Sequence, residues 1–522
     1  MAATISLYNR SLHKAIFQDH SKPYRLTPFI VTFCDASLTS IDIENFIEMG
    51  LRIIRFKMTK LSISDKIILL AKFKQAMKLF CEKYDVQTWP VAICIDLPNA
   101  CIKTGCISEE IGELEIMLED NSIIKITSNK KFWNKCSKDI LYMDDPYTFV
   151  LIKPGIEVTI GCGKVIMICM EVIDEQNIKC KIVQGGFITN VEFFCVRGIK
   201  HTKPPLSKYD RKMIEFAKEY KLDIIIMNSV RRASTLDKVR SFFKNSHTPL
   251  IISTICEQEG LDNVDDIIEK SDGLILAREF LAYEILNKYQ MNGIQMLLSA
   301  KCRQKGKPFF ISGNILSESL KKGIITDRDV FDITNAAIDG TGFLLRESNE
   351  PANLLIAMNV LDSLCKSVES VKREINFWRI LDEVKMPVNA AEAACLACAL
   401  AAKQSDTKVI IVPTVSGDTP RRLTQVAPEA VILTVTSNSA TARKLQLFRG
   451  IISIIFNVKT EKGFEEEINA RVDTAVNYCI THNILKYKET YVLLRKANIY
   501  SAFPDSVSLC TVHTIIHAAI EC

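Results

Sequence analysis

Histidine is scarce in this chain, seven in 522 residues, and no HExxH occurs, so a zinc site of the metalloprotease kind is excluded. No uncharged apolar run reaches the roughly 18 residues that a membrane-spanning helix needs. The opening MAATISLYNRSLHKAIF lacks a long apolar core, so no secretory leader is expected. No Lys/Arg block concentrates the net charge of +5, which argues against nucleic acid as a partner. Paired CxxC clusters are also missing, although 18 cysteines are present. The CxxC formed by Cys395 and Cys398 lies in the Ala-rich run NAAEAACLACALAA, which reads as a packed helix. These thiols therefore read as small buried apolar groups rather than zinc ligands. Free thiols in this number fit a reducing, cytoplasmic setting.

What is present is a globular composition, 48% hydrophobic and 24% charged, on a chain long enough for several domains. Short apolar runs recur through the first two thirds: FIVTFC (29–34), RIIRFK (52–57), VAICID (91–96), DIIIMN (223–228), LIISTI (250–255), GLILA (273–277), PFFISG (308–313) and GFLLR (342–346). They do not alternate, which is the pattern of strands buried on both faces in a parallel sheet. Segments with helical spacing separate most of them, such as SDKIILLAKFKQAMKLFCEKY and KYDRKMIEFAKEYK. Eight strands alternating with helices predict a (β/α)8 TIM barrel.

The gap between the third and fourth runs is too long for one helix. Residues 102–200 are rich in β-branched residues and turns and predict a small β-barrel inserted at the catalytic end of strand three, placed to act as a lid. After residue 370 the pattern restarts with VIIVPT (409–414), VILTVT (431–436), IISIIF (451–456) and YVLLRK (491–496), predicting a doubly wound α/β domain. The expected division is 1–101 and 201–370 for the two parts of the barrel, 102–200 for the insert and 371–522 for the C-terminal domain.

This layout resembles pyruvate kinase, and several stretches carry the resemblance. They are CIDLPNACIKTG (94–105), SDGLILAR (271–278), GKPFFISGNILSES (306–319), DVFDITNAAIDGTGFLL (329–345) and TVTSNSATARKLQLFRGI (434–451). IISTICEQEG (251–260) is similar to the family's IISKIENxEG, with Ser253, Ile255, Glu259 and Gly260 matching without a gap. That register puts Thr254 where the family has its catalytic lysine and Cys256 at its first metal-binding glutamate. In SDGLILAREFLA, Phe280 falls on the second metal ligand, an aspartate in the family.

The resemblance extends the trend to other positions. Arg55 is kept at the substrate-phosphate position, and Arg278 is kept beside the sixth strand. Lys57 and Thr59 stand at monovalent-cation ligands, where Asp96 is retained. Lys103 replaces an arginine and loses its two-pronged geometry. Gly313 replaces the threonine that ends strand seven, and Gly161 and Cys162 replace a pair that reaches over the nucleotide.

The family moves a phosphoryl group from phosphoenolpyruvate to ADP, with Mg²⁺ and K⁺ around the migrating charge. Cys256 and Phe280 offer no hard oxygen to Mg²⁺. The resemblance therefore implies a pseudoenzyme that binds neither ion normally and acts as a scaffold, a partner subunit or a binder of phosphoenolpyruvate or nucleotide. Assembly is expected as a homo-oligomer, a homotetramer in the family, or with an active paralogue. The alternative is a rebuilt metal site using Glu257 and Glu279, each one residue from the family position, with Lys57 supplying the charge of the monovalent cation. Against it, a one-residue shift on a strand turns a side chain away. TVSGDTP (414–420) is similar to the family's effector loop: Thr414, Ser416 and Gly417 match, but Asp418 would repel a phosphate. Weak or absent sugar-bisphosphate activation is the expectation. His513 and His517, four apart in TVHTIIHAAIEC, read as packing rather than a metal pair.

Overall fold

The computed structural model describes residues 24–33, 38–57, 62–84, 86, 88–97, 101–113, 115–200, 204–244, 247–285, 287–348, 350–370, 388–426, 428–456 and 463–513. Thr59 and His517 lie outside the described residues.

Eight strands close a barrel in sequence order: Phe29–Phe33, Ile53–Phe56, Ala92–Leu97, Ile224–Met227, Leu250–Ile255, Gly273–Ala277, Phe309–Ser312 and Gly342–Leu345. The strand pairs whose register is resolved are parallel, for example Thr254 beside Ile275. Both faces of most strands are buried, in keeping with the unbroken apolar runs. Helix starts are set locally. Ser62 accepts from the Asp65 amide at 3.1 Å while the Asp65 carboxyl accepts from the Ser62 amide at 3.2 Å, opening the helix Ile63–Lys83. Ser207 with Asp210 and Asn389 with Glu392 repeat the device.

Between strands three and four lies a seven-stranded sheet with a separate two-stranded ribbon, Gly186–Thr189 on Glu115–Leu118. Its core gathers residues such as Ile126, Phe149, Val165, Met167 and Ile182. The last part of the chain forms a five-stranded sheet. Val409–Pro413, Val431–Thr436, Ile451–Ile455 and Thr490–Arg495 were expected from their apolar runs. A fifth strand, Ser506–Thr511, adds antiparallel to Thr490–Arg495. Cys395 and Cys398 are buried in the helix Ala390–Gln404, and burial pushes their thiols up to about 11 and about 12.

The chain divides into two compact units. One comprises residues 1–94, 299–310 and 315–522, the other 95–298 and 311–314. Among the described residues no helix is long and apolar enough to cross a membrane.

Candidate functional site

The ends of strands five, six and seven fall within one compact unit together with the inserted domain. Strand Leu250–Ile255 buries Thr254, whose hydroxyl oxygen has no hydrogen-bond partner among the described residues. Cys256 follows it and is buried. Burial pushes its thiol well above the ordinary range, and the neighbouring Cys101 and Glu257 add to this. A thiol held protonated is a poor ligand for any cation.

Glu257 does not turn out to solvent. At 7% exposure it accepts a hydrogen bond from the Ser229 hydroxyl, and Ser229 sits at φ 54°, a strained conformation for a residue with a side chain.

Helix Arg278–Glu284 begins directly after strand six. Arg278 donates to the Gly313 carbonyl at 3.2 Å and to Gln295 at 3.3 Å. Glu279 is 9% exposed, and the Ser312 hydroxyl lies 3.2 Å from both of its carboxyl oxygens. Gly313 has φ 91°, and a Cβ built on it would overlap Glu279 Oε2. The glutamate one residue from the family's metal position thus fills the space that a larger residue 313 would use.

Phe280 packs edge-on against Phe193 of the inserted sheet, ring centroids 4.6 Å apart. Two further contacts tie helix Arg278–Glu284 to that sheet. A Cβ on Gly163, in the turn that carries Gly161 and Cys162, would overlap the Tyr283 ring. Cys195 lies 2.9 Å from Glu284 Oε1, and burial, then Glu284, pushes its thiol well up. The cavity left among Cys101, Cys162, Cys256, Glu257, Phe280 and Glu284 is about 40 Å³. That is far below the few hundred Å³ of an ordinary ligand pocket.

Lys103 pairs with Phe193 across the inserted sheet, its ammonium 6.0 Å from that ring, and its amide donates to Asp144 at 2.7 Å. Asp96, at the end of strand three, is buried, with Asn228 Nδ2 at 3.5 Å.

In the other unit, Arg55 on strand two is buried and donates through Nε to Thr32 Oγ1 at 3.0 Å. Thr32 itself donates to the Leu345 carbonyl at 2.6 Å. Lys57 is ion-paired with Glu347 at 2.5 Å. Burial lowers its pKa, and Glu347 opposes that shift.

The donor set does not fit the ions of the resemblance. Magnesium takes hard oxygens in near-octahedral array. Cys256 and Phe280 supply none, Glu257 accepts from Ser229 through Oε1 while its Oε2 is buried without a hydrogen-bond partner among the described residues, and Glu279 accepts from Ser312. No group of three or more His, Cys, Asp or Glu side chains among the described residues is arranged to hold a metal. A monovalent cation at the second-strand position would meet the Lys57 ammonium, which only donates.

The loop before helix Asp418–Gln425 is satisfied from within. The Gly417 amide donates to Thr414 Oγ1 at 3.0 Å, Ser416 donates to Asp418 at 3.0 Å, and Arg421 is ion-paired with Asp418.

The structure places Thr254, Cys256 and Glu257 at or just after the end of strand five, Arg278, Glu279 and Phe280 just after strand six, and Gly313 just after strand seven. Sequence reasoning missed Ser229, Ser312, Tyr283, Phe193 and Glu284, which complete the packing. Ser229 and Ser312 stand at the ends of apolar runs, whereas Phe193 opens a strand and Tyr283 and Glu284 lie within a helix, with no signal that links them.

Comparison with known proteins agrees with this architecture. The family model "Pyruvate kinase, barrel domain" matches residues 24–354, and "Pyruvate kinase, alpha/beta domain" matches residues 392–507. Pyruvate kinase 2 of Saccharomyces cerevisiae is 26% identical over 413 residues, covering 78% of this chain and 80% of the yeast protein. Pyruvate kinase of Candida albicans is 26% identical over 416 residues, 78% of this chain and 81% of its own length. Pyruvate kinase 1 of Saccharomyces cerevisiae is 24% identical over 428 residues, 81% and 85%.

Proposed function

The chain belongs to the pyruvate kinase family, a family of glycolytic transferases, and we propose that it keeps the family scaffold without the family's phosphoryl transfer. The observation that carries this reading is the use made of the replaced positions. Phe280 is packed on Phe193, and the Glu279 carboxyl takes the volume over Gly313. An active site that had merely lost a ligand would leave a polar gap. Here most of the gap is filled by contacts that depend on the replacements, leaving a cavity of about 40 Å³.

The chemistry follows from the same residues. Thr254 cannot act as an ammonium toward developing negative charge, and loss of one such stabiliser typically costs about 10²–10³-fold. The losses do not multiply simply, but little turnover survives several of them. Arg55 and Arg278 each keep a guanidinium that attracts phosphate, so a phosphorylated ligand is a candidate for binding without reaction. Mg²⁺ and K⁺, used by the family, are not bound in the family manner. The function is then one of binding or assembly in the cytoplasm, as a subunit with itself or with an active relative. The four-part division at residues 101, 200 and 370 belongs to the same reading.

The rebuilt-site alternative draws on the burial of Glu257 and Glu279, since both stay at the strand ends. The hydrogen bonds from Ser229 and Ser312 and the lack of a third acidic, Cys or His side chain grouped with them among the described residues weigh against it, although Glu257 Oε2 is left without a hydrogen-bond partner among those residues.

The test is a coupled assay of the full chain with phosphoenolpyruvate, ADP, Mg²⁺ and K⁺, beside the triple variant Thr254→Lys/Cys256→Glu/Phe280→Asp. A silent parent is expected. Mg²⁺-dependent turnover by the parent that is lost in Glu257→Ala would overturn the proposal.

A further inference from the structure

A second cavity, of about 140 Å³, lies within the unit that contains the C-terminal sheet. Three cationic side chains line it, Arg303, Lys307 and Arg449, against two carboxyl groups, Glu369 and Glu429. Arg303 projects from the last turn of helix Met291–Gln304, and Lys307 stands just before strand seven. Arg449 follows helix Ser439–Leu445 of the C-terminal domain.

One of the two carboxyls is already saturated. Glu369 accepts from the Leu26 amide at 2.7 Å, the Thr27 amide at 2.7 Å and the Thr27 hydroxyl at 2.5 Å. It therefore spreads its charge over these donors as well as over Arg449, which lies 3.2 Å away. The other, Glu429, is exposed.

Arg303 is half-buried, with a backbone carbonyl as its hydrogen-bond partner. It donates to the Asp339 carbonyl at 2.6 Å, and Ser299 donates to the same carbonyl at 3.0 Å. Gly340, at φ 79°, leaves the space through which the guanidinium passes: a Cβ there would lie 2.9 Å from Arg303 Nη2. Burial lowers the pKa of Arg303, and the charge of Arg449 lowers it further while Asp339 opposes. Two guanidiniums that repel each other across a cavity are the arrangement an oxyanion relieves, because each fork donates to it at close range.

We propose that this cavity is a binding site for a small phosphorylated metabolite, its phosphate held between Arg303 and Arg449 with Lys307 alongside. Ser299 and Thr424 add hydroxyls to the lining, and Leu26, Pro28, Phe309 and Phe448 form an apolar part that takes a short carbon stub. The volume is too small for a nucleotide. None of the residues that line the smaller cavity lines this one, so the proposal stands or falls independently of the catalytic reading.

The test is calorimetric titration of the full chain with glycerol 3-phosphate and, separately, inorganic phosphate. Saturable one-site binding is expected, weakened about tenfold or more in Arg303→Leu through loss of charge-assisted hydrogen bonds, and unchanged in Arg55→Leu. Should Arg303→Leu fail to fold, Lys307→Gln carries the test, with weakening of about threefold or more expected. No saturable binding by the parent overturns the proposal. So does binding that Arg55→Leu abolishes and Arg303→Leu or Lys307→Gln leaves intact. Inorganic phosphate binding more tightly than glycerol 3-phosphate overturns the assignment to a metabolite.

Discussion

Restoring threonine at position 313 is expected to damage this protein. Gly313 has φ 91°, where a β-branched residue is strained by about 1–2 kcal/mol. The new Cβ would also overlap the Glu279 carboxyl and push it off Ser312. Losing a buried polar contact of that kind costs about 1–3 kcal/mol. Gly313→Thr should therefore destabilise by about 2–5 kcal/mol in total. Glu279→Ala alone should cost about 1–2 kcal/mol, because it strips the Ser312 hydroxyl of a partner. The double variant no longer has the overlap, so the two changes should be less than additive, with a coupling of about 1–3 kcal/mol. Urea unfolding followed by far-UV circular dichroism, on the parent, both singles and the double, closes the cycle. Effects that add within about 0.5 kcal/mol would show that Glu279 does not occupy the space over residue 313. The account of the filled gap would then fail.

Three further outcomes are expected. Thr254→Val removes a buried hydroxyl that has no partner among the described residues, so it should stabilise by about 1 kcal/mol in the same urea assay; a loss of that size would mean the hydroxyl is in use. Cys195 and Cys256, whose thiols burial pushes well up, should resist a disulfide reagent at pH 8 until the chain unfolds, and mass spectrometry finding either labelled in the native protein would contradict their assigned surroundings. Burial acts to raise the Asp418 pKa, but hydrogen bonds from Arg421 and Ser416 and the charges of Arg421 and Arg422 outweigh it and hold it below the ordinary 3.8. Its contribution is present above that value and is lost as pH falls through the lower folded value. The melting-temperature gap between parent and Asp418→Asn should hold at pH 5 and close at acid pH; a gap that widens on acidification would reverse the assignment.

The barrel was legible because its strands are buried on both faces. Leu250–Ile255 and Gly273–Ala277 occupy the residues of LIISTI and GLILA, and no polar position interrupts the pattern in GLILA. Ser506–Thr511 was not anticipated because this edge strand buries none of its residues fully and even Leu509 is exposed, so six residues mixed with serines give a weak signal. The placement of Thr254, Cys256 and Phe280 at or just after strand ends was legible because apolar runs precede them. Their environment was not. Phe193 and Phe280 stand far apart in sequence and meet only when the inserted sheet folds, as do Glu279 and Gly313 across two barrel strands. Such pairs leave no local periodicity. By contrast Asp418 and Arg421 are three apart on one helix, so their pairing was available from spacing alone.

The loop Thr414–Asp418 has a consequence for how the C-terminal domain responds to its surroundings. An anion attached to the chain is present at an effective concentration that no diffusing metabolite readily matches, commonly about millimolar or above. Asp418 already takes the Ser416 hydroxyl and the Arg421 guanidinium. A soluble anion must displace it before gaining either group. We therefore expect the loop to be insulated from swings in metabolite supply, its conformation set when the chain folds rather than adjusted afterward.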